Sequence, residues 1–256
     1  MARTTEVVLA GEHRLIRELS ERIEPLPWGF ASFDDSVPHV FHANAVHVTA
    51  TEGVTAAELI ATAEDLLAHF GHRWVVVPHE PLWRELTPGF EAAGWSWQTE
   101  VYMALAREPD RIAIPESVRE IDFEELAASE DTFIAAEPWG HDAALRGQFT
   151  NRNRRTSEAT QERIFAALDE GAPVAWAKLR VLGDVLQIED VATLPHERRL
   201  GLGRGVVTAA LQAARGAQQD VVFVVADDED WPQELYAKLG FDPVGRVRVF
   251  ERLISR

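Results

Sequence analysis

The chain contains no cysteine. That excludes a disulfide framework, a thiolate metal site and a cysteine nucleophile, and no metal is expected. Long apolar runs are missing as well. None approaches the length of a membrane span, and the N-terminus has no signal-type apolar region. The expected location is cytoplasmic, with no membrane partner. Basic residues are scarce, 25 Lys and Arg against 42 Asp and Glu, for a net charge of −17. Nucleic-acid partners gripped through phosphates are therefore not expected. An acidic field suits cationic small molecules or plain solubility, and solubility accounts for most of it. Two phosphate-binding motifs are absent. There is no G-x-x-x-x-G-K-[ST] loop, and Gly205 comes one residue too early for G-x-G-x-x-G.

What the chain does have is apolar content, 46% of 256 residues, enough for one large or two small domains. Its organising stretch is Leu186 to Leu211. Leu186, Ile188 and Val191 read as a strand that Pro195 ends. The loop Arg198-Arg199-Leu200-Gly201-Leu202-Gly203-Arg204-Gly205 follows, and Val206, Val207, Ala210, Leu211 and Ala214 then recur at helical spacing. Strand, glycine loop and helix start make an anion cradle. Backbone N–H groups at a helix N-terminus lack partners and carry partial positive charge, and glycines let an anion approach them.

Residues 1 to 106 form a first unit. Gly11–Ile23 and Ala56–Phe70 read as amphipathic helices, and Ala45–Thr51, Arg73–Val77 and Trp97–Leu105 as strands. Glu24–Ser36 reads as loop, from Pro25, Pro27 and Gly29, and Thr87-Pro88-Gly89 as an interruption of a helix. Ala106–Glu116 is the expected linker between domains 1–110 and 111–256. In the second unit Val118–Phe123 reads as strand, Glu124–Ala136 as helix, and Ala143–Leu168 as one or two helices. The basic run Arg152, Arg154, Arg155 reads as a solvated face. Val174–Leu182 and Val185–Val191 flank the turn Gly183-Asp184, and Val221–Val225 reads as a buried parallel strand. The two units share a pattern. Trp74–Val77, Trp83 and Gly94-Trp95 follow the order of Val222–Val225, Trp231 and Gly240-Phe241, which suggests an internal repeat. In the first copy the loop Thr51-Glu52-Gly53 has one glycine and no arginine, so it is no cradle.

Arg198-x-x-Gly201-x-Gly203 resembles the acetyl-CoA pyrophosphate loop, R/Q-x-x-G-x-G/A, of the GNAT superfamily of N-acetyltransferases. Leu235-Tyr236-Ala237-Lys238-Leu239-Gly240-Phe241 resembles that family's L-Y-x-K-L-G-F signature. The resemblance covers most of residues 117–256. It implies an α/β fold with a mixed sheet, as two tandem GNAT-like domains. The first, 1–110, would be degenerate and without a cofactor loop, and the second, 111–256, catalytic. It implies transfer of acetyl from acetyl-CoA to a primary amine of a small molecule or peptide. The alternative is a non-catalytic acyl-CoA-binding or interaction module. Backbone groups at Val191, Ala192 and Thr193 would hold the pantetheine arm. Arg198, Arg199, Leu200, Gly201, Leu202, Gly203 and Arg204 would surround the pyrophosphate. Tyr236 would protonate the thiolate. A base or water chain must deprotonate the amine. Asp190 is the first choice and Glu189 the second, only one serving because adjacent strand residues face opposite ways. Trp139 and His141 are candidates for the acceptor pocket. One departure stands out: Glu229 replaces an asparagine frequent seven residues before the tyrosine. The sequence admits a homodimer and leaves the oligomeric state open.

Overall fold

The computed structural model describes residues 2–254. The first segment runs α1 (Ala2–Leu19), β1 (Arg22–Leu26), β2 (Gly29–Phe33), β3 (Ala45–Val48), α2 (Ala56–Leu66), β4 (His72–Val77), α3 (Glu80–Ala92), β5 (Ser96–Leu105). The second runs β6 (Val118–Ile121), α4 (Phe123–Ala135), α5 (Ala143–Thr160), β7 (Arg163–Asp169), β8 (Ala172–Leu182), β9 (Val185–Thr193), α6 (Leu202–Ala214), β10 (Val221–Asp227), α7 (Pro232–Lys238), β11 (Phe241–Leu253). The series β3-α2-β4-α3-β5 matches β9-α6-β10-α7-β11 element for element, which gives the repeat its structural form.

All strands join one 11-stranded sheet, ordered β1-β2-β3-β4-β11-β5-β10-β9-β8-β7-β6. The last strand of each segment has crossed into the other. β11 lies antiparallel between β4 and β5, and β5 lies antiparallel between β11 and β10. The sheet is thus continuous across residue 110. Two layers of core cover it. One packs α6 and Tyr236 on β5 and β7–β10, the other packs α2 and α3 on β2–β4 and Phe250 of β11. Phe90 of α3 stacks on Phe250 at 3.9 Å, and Arg248 of β11 lies 3.7 Å from the rings of both Trp83 and Trp97. Each such cation–π contact contributes about 0.5–2 kcal/mol, so the exchanged strand is held by its side chains as well as its backbone.

The linker 106–117 also serves the signature glycine. Ala106 and Arg107 donate backbone hydrogen bonds to the Gly240 carbonyl. Gly240 has φ +99°, and a Cβ there would lie 2.1 Å from the Arg107 oxygen. Only glycine fits.

Several sequence expectations are corrected. The stretch 24–36 holds the hairpin β1–β2, and Pro25 is tolerated because β1 is the sheet's outer strand. α1 starts nine residues before Gly11, and Ile23 belongs to β1. α3 runs through Pro88, with the Thr87 hydroxyl donating to the Trp83 carbonyl at 2.6 Å. α5 stops where Gln161 takes a left-handed conformation, and β7 follows instead of more helix. The basic run is no solvated face. Arg152 is buried, and Arg152 and Arg155 both reach Asp34 of the first segment, at 3.1 and 2.7 Å. Of the three, Arg154 is the most exposed, at 43% of its side chain, and it pairs with Glu124.

Candidate active site

Two parallel strands part at the centre of the second segment. β9 and β10 pair only from Val185↔Val221 to Gln187↔Phe223. Beyond that point β10 continues against β5, and Ile188 to Thr193 of β9 have no strand partner on that side among the described residues. A bulge sharpens the departure. The register with β8 slips between Trp176 and Lys178, and Asp190 has φ +49°. The bulge also breaks strand alternation, so Glu189 and Asp190 both line one cavity. The expectation that only one of them could face a site is corrected for that reason.

At the end of β9 the chain enters the glycine loop. Gly201, φ +81°, is the N-cap of α6, and no side chain caps the helix. A Cβ at Gly201 would meet nothing within 4 Å, and one at Gly203 only the Thr193 hydroxyl, at 3.4 Å. The α6 N-terminus is therefore open, beside the free edge at Val191, Ala192 and Thr193. Arg198 donates to the Thr193 carbonyl at 3.2 Å, tying loop to strand, while Arg199 and Leu200 are exposed. Arg204 points elsewhere. It is buried and paired with Asp110 of the linker at 2.5 Å, so it anchors α6 instead of meeting an anion. The matching helix of the first segment differs. At α2 a capping box closes the N-terminus, with Thr55 accepting from the Glu58 N–H and Glu58 accepting from the Thr55 N–H. A carboxylate already occupies the place an anion would take.

On the other side of the parted strands lies a cavity of about 450 Å³, walled by both segments. α1 contributes Glu12, β5 contributes Glu100 and Tyr102, and β9 contributes Gln187, Glu189 and Asp190. Burial pushes Glu12 up to about 8, against the hydrogen bond that Tyr102 donates to it at 2.6 Å. Burial pushes Glu100 up to about 7, with the charge of Asp227 adding. Burial likewise pushes Glu189 to about 7, opposed by Arg180 and assisted by Asp190 and Glu100. Gln187 donates to Glu189 at 2.7 Å. Asp190 behaves oppositely. Burial would raise it, but Lys178 at 2.9 Å and Arg180 at 3.0 Å hold it below the ordinary carboxylate range. Lys178 also meets Glu130, and Arg180 meets Glu162. A carboxylate locked between two cations is a poor proton acceptor.

Tyr236 is buried in the core of the second segment, edge-on to Phe241. Burial raises its hydroxyl above the ordinary range, and the charge of Glu189 adds to this. The hydroxyl therefore stays protonated at neutral pH, and it makes no hydrogen bond among the described residues. Trp139 and His141 do not line the cavity. Trp139 is exposed and packs on Phe149 at 5.1 Å, and His141 faces solvent. The break between α4 and α5 that carries them lies outside the wall of this cavity. Glu229 is exposed in the turn before α7, where Asp228 pairs with Arg246.

The raised carboxyls make stability depend on pH. Glu12, Glu100 and Glu189 have folded pKa values of about 8, about 7 and about 7, above the ordinary 4.5. Below about pH 6.5 this is opposed by His13, His42, His47 and His72, which burial holds below their ordinary 6.5, but from about 6.5 to 8 the three carboxyls bind more protons folded than unfolded, so stability falls as pH rises through that window. The melting temperature is expected to drop across that window, and Glu100→Gln to flatten the drop. A wild-type melting temperature that rises with pH through the window refutes this.

An uncapped helix start, a free strand edge and a cavity-facing glutamate together suit acyl transfer. The comparisons agree. Residues 121–241 match the acetyltransferase (GNAT) family model. The fold is shared with a functionally unknown conserved protein from Staphylococcus epidermidis, at TM-score 0.71 and 13% identity over 92% of this chain and 95% of that one. It is shared with a GCN5-related N-acetyltransferase from Kribbella flavida, at TM-score 0.58 and 18% identity over 97% and 95%. A tandem GNAT protein from the clavulanic acid biosynthesis pathway aligns at TM-score 0.50 and 14% identity over 78% and 69%. Two tandem GNAT-like domains thus account for the repeat. No curated protein matches the sequence. No helix among the described residues is long and apolar enough to cross a membrane.

Proposed function

We infer that the protein transfers the acetyl group of acetyl-CoA to a primary amine. The observation that carries this reading is the juxtaposition of an open α6 N-terminus and free β9 edge with Glu189 on the cavity wall. Backbone N–H groups of Gly201, Leu202 and Gly203 suit a pyrophosphate, and the edge at Val191 to Thr193 suits an amide-bearing pantetheine arm. Acetyl-CoA supplies the activated acyl carbon. Glu189 takes a proton from the acceptor ammonium, freeing the nitrogen lone pair. The C–N bond forms and the C–S bond breaks. Tyr236 donates a hydrogen bond, then a proton, to the departing sulfur. The second nitrogen proton replaces the one it gives. The first is released from Glu189 to solvent.

CoA alone tests the cradle. At 100 times its Kd a ligand stabilises by about 2.7 kcal/mol, which for a chain of this size is a melting shift of several degrees. One equivalent per chain should bind, since the α2 N-terminus is closed. Gly203→Ala should melt normally without CoA and shift less with it. No shift at millimolar CoA, or two equivalents bound, overturns the reading. Release of free thiol from acetyl-CoA with a panel of amines then tests turnover, and a binding module without chemistry would show the shift alone.

A further inference from the structure

Resting on the amine-acetylation reading, we propose that the acceptor is a small molecule with two cationic amino groups, the non-reacting one held by Glu12 and Glu100. These two residues come from the first segment, which supplies no cofactor loop. The cavity gives the reason. Its charged wall is unbalanced. The arginines that line it, Arg152 and Arg180, are committed elsewhere, to Asp34 and to Glu162 and Asp190. The Glu100 carboxyl, by contrast, has no hydrogen-bond or ion-pair partner among the described residues, although its charge is desolvated. A desolvated carboxyl without a partner is unfavourable until a cation joins it.

Gln187 points the same way independently. It is 6% exposed and lines the cavity. Its amide nitrogen donates to Glu189 at 2.7 Å and to Glu12 at 3.5 Å, while its carbonyl oxygen accepts nothing among the described residues. That oxygen is free to accept from a donor that enters the cavity. An ammonium group has three N–H donors and no acceptor, which suits two carboxyls and one amide oxygen. A monoamine delivered to Glu189 would leave Glu100 unmatched. Trp74, Val76 and Val225 give the same cavity apolar wall for the carbon chain between two amino groups. The net charge of −17 draws in a dication more strongly than a monocation.

Diaminobutane and butylamine, compared as acceptors with acetyl-CoA, test the proposal. The wild-type kcat/KM should favour the diamine at least about tenfold, since a site built to bind a polar group rejects the analogue lacking it. Glu12→Gln and Glu100→Gln should each lower the diamine-to-monoamine ratio about tenfold. Glutamine matches the shape of a protonated carboxyl, and a retained CoA melting shift shows that each variant is folded. Should Glu12→Gln not fold, Glu100→Gln decides alone, because the Glu100 side chain makes no hydrogen bond or ion pair among the described residues that the substitution would break. Equal use of the two amines by the wild type, or an unchanged ratio in the folded variants, overturns the proposal and leaves amine acetylation standing. Calorimetry with diaminobutane and no acetyl-CoA separates the remaining outcomes. Binding to the wild type but not to the Glu12→Gln/Glu100→Gln variant, with no amine acetylated, would keep the pocket and overturn the transfer reaction. No binding to the wild type overturns the pocket.

Discussion

Glu189→Gln is expected to lower kcat/KM by about 10²–10⁴-fold, the usual contribution of a positioned general base. The substitution keeps the shape of the side chain, so Gln187 still has an oxygen to donate to. Only the proton acceptor is removed. Wild-type activity should also fall as pH drops below about 7, where Glu189 protonates, and this limb should be absent from the variant. CoA affinity should be nearly unchanged, because the glycine loop lies beyond the end of β9 at Thr193 and the side chain of Glu189 faces the cavity. Asp190→Asn should behave differently. It leaves Lys178 and Arg180 short of a partner, so its first effect is on stability. A Glu189→Gln enzyme with full activity, assayed where chemistry limits the rate, would remove Glu189 as the base.

Asp34→Ala is expected to destabilise the fold by about 3–5 kcal/mol, the range for removing one member of a buried ion pair. Asp34 is fully buried and accepts from Arg152, Arg155 and Ser36. Its loss strands the buried Arg152 guanidinium, whose remaining partner is the Leu19 carbonyl. Domain stabilities are usually about 5–15 kcal/mol, so this one side chain carries a large share. Asp35→Ala provides the contrast. Its carboxyl is exposed and pairs only with an exposed His69, so its effect should stay within about 0.5 kcal/mol. Urea unfolding of both variants measures the difference. Equal midpoints would show that the clamp between α5 and the first segment contributes nothing.

The parts of the site legible in the sequence are those encoded locally. Gly201 needs its positive φ within four residues of Arg198, and Pro195 ends β9 just upstream, so the cradle could be read from one window. The repeat was legible for the same reason: each copy keeps its strand, helix and closing glycine in order. What escaped reading depends on distant partners. Nothing near Arg152 announces Asp34, and nothing near β11 announces that it pairs with β4. Asp190 looked like an ordinary strand carboxylate because the bulge beneath it is set by its register with β8. The carboxyl wall did leave a faint trace. Gln187 and Glu189 alternate on β9, as Glu100 and Tyr102 do on β5, which is the spacing of side chains sharing one face. Their burial, which raises their pKa values, comes from the meeting of two segments and has no local signature.

The crossed strands set an order of events during synthesis. Leu253 pairs with His72 and Arg248 with Val77, so the first segment's sheet has an empty lane until β11 has left the ribosome. β5 faces the same delay, because β10 and β11 on its two sides are made long after it. Domains of a nascent chain commonly fold as they emerge, first one and then the next. Here the first segment must wait with three unpaired strand edges, one on β4 and two on β5, and contacts this far apart in sequence form slowly. A stalled chain truncated before Phe241 would expose β4 and β5 to any other strand nearby. The same crossing that lets one segment wall the other's cavity therefore makes the newborn protein depend on its last strand.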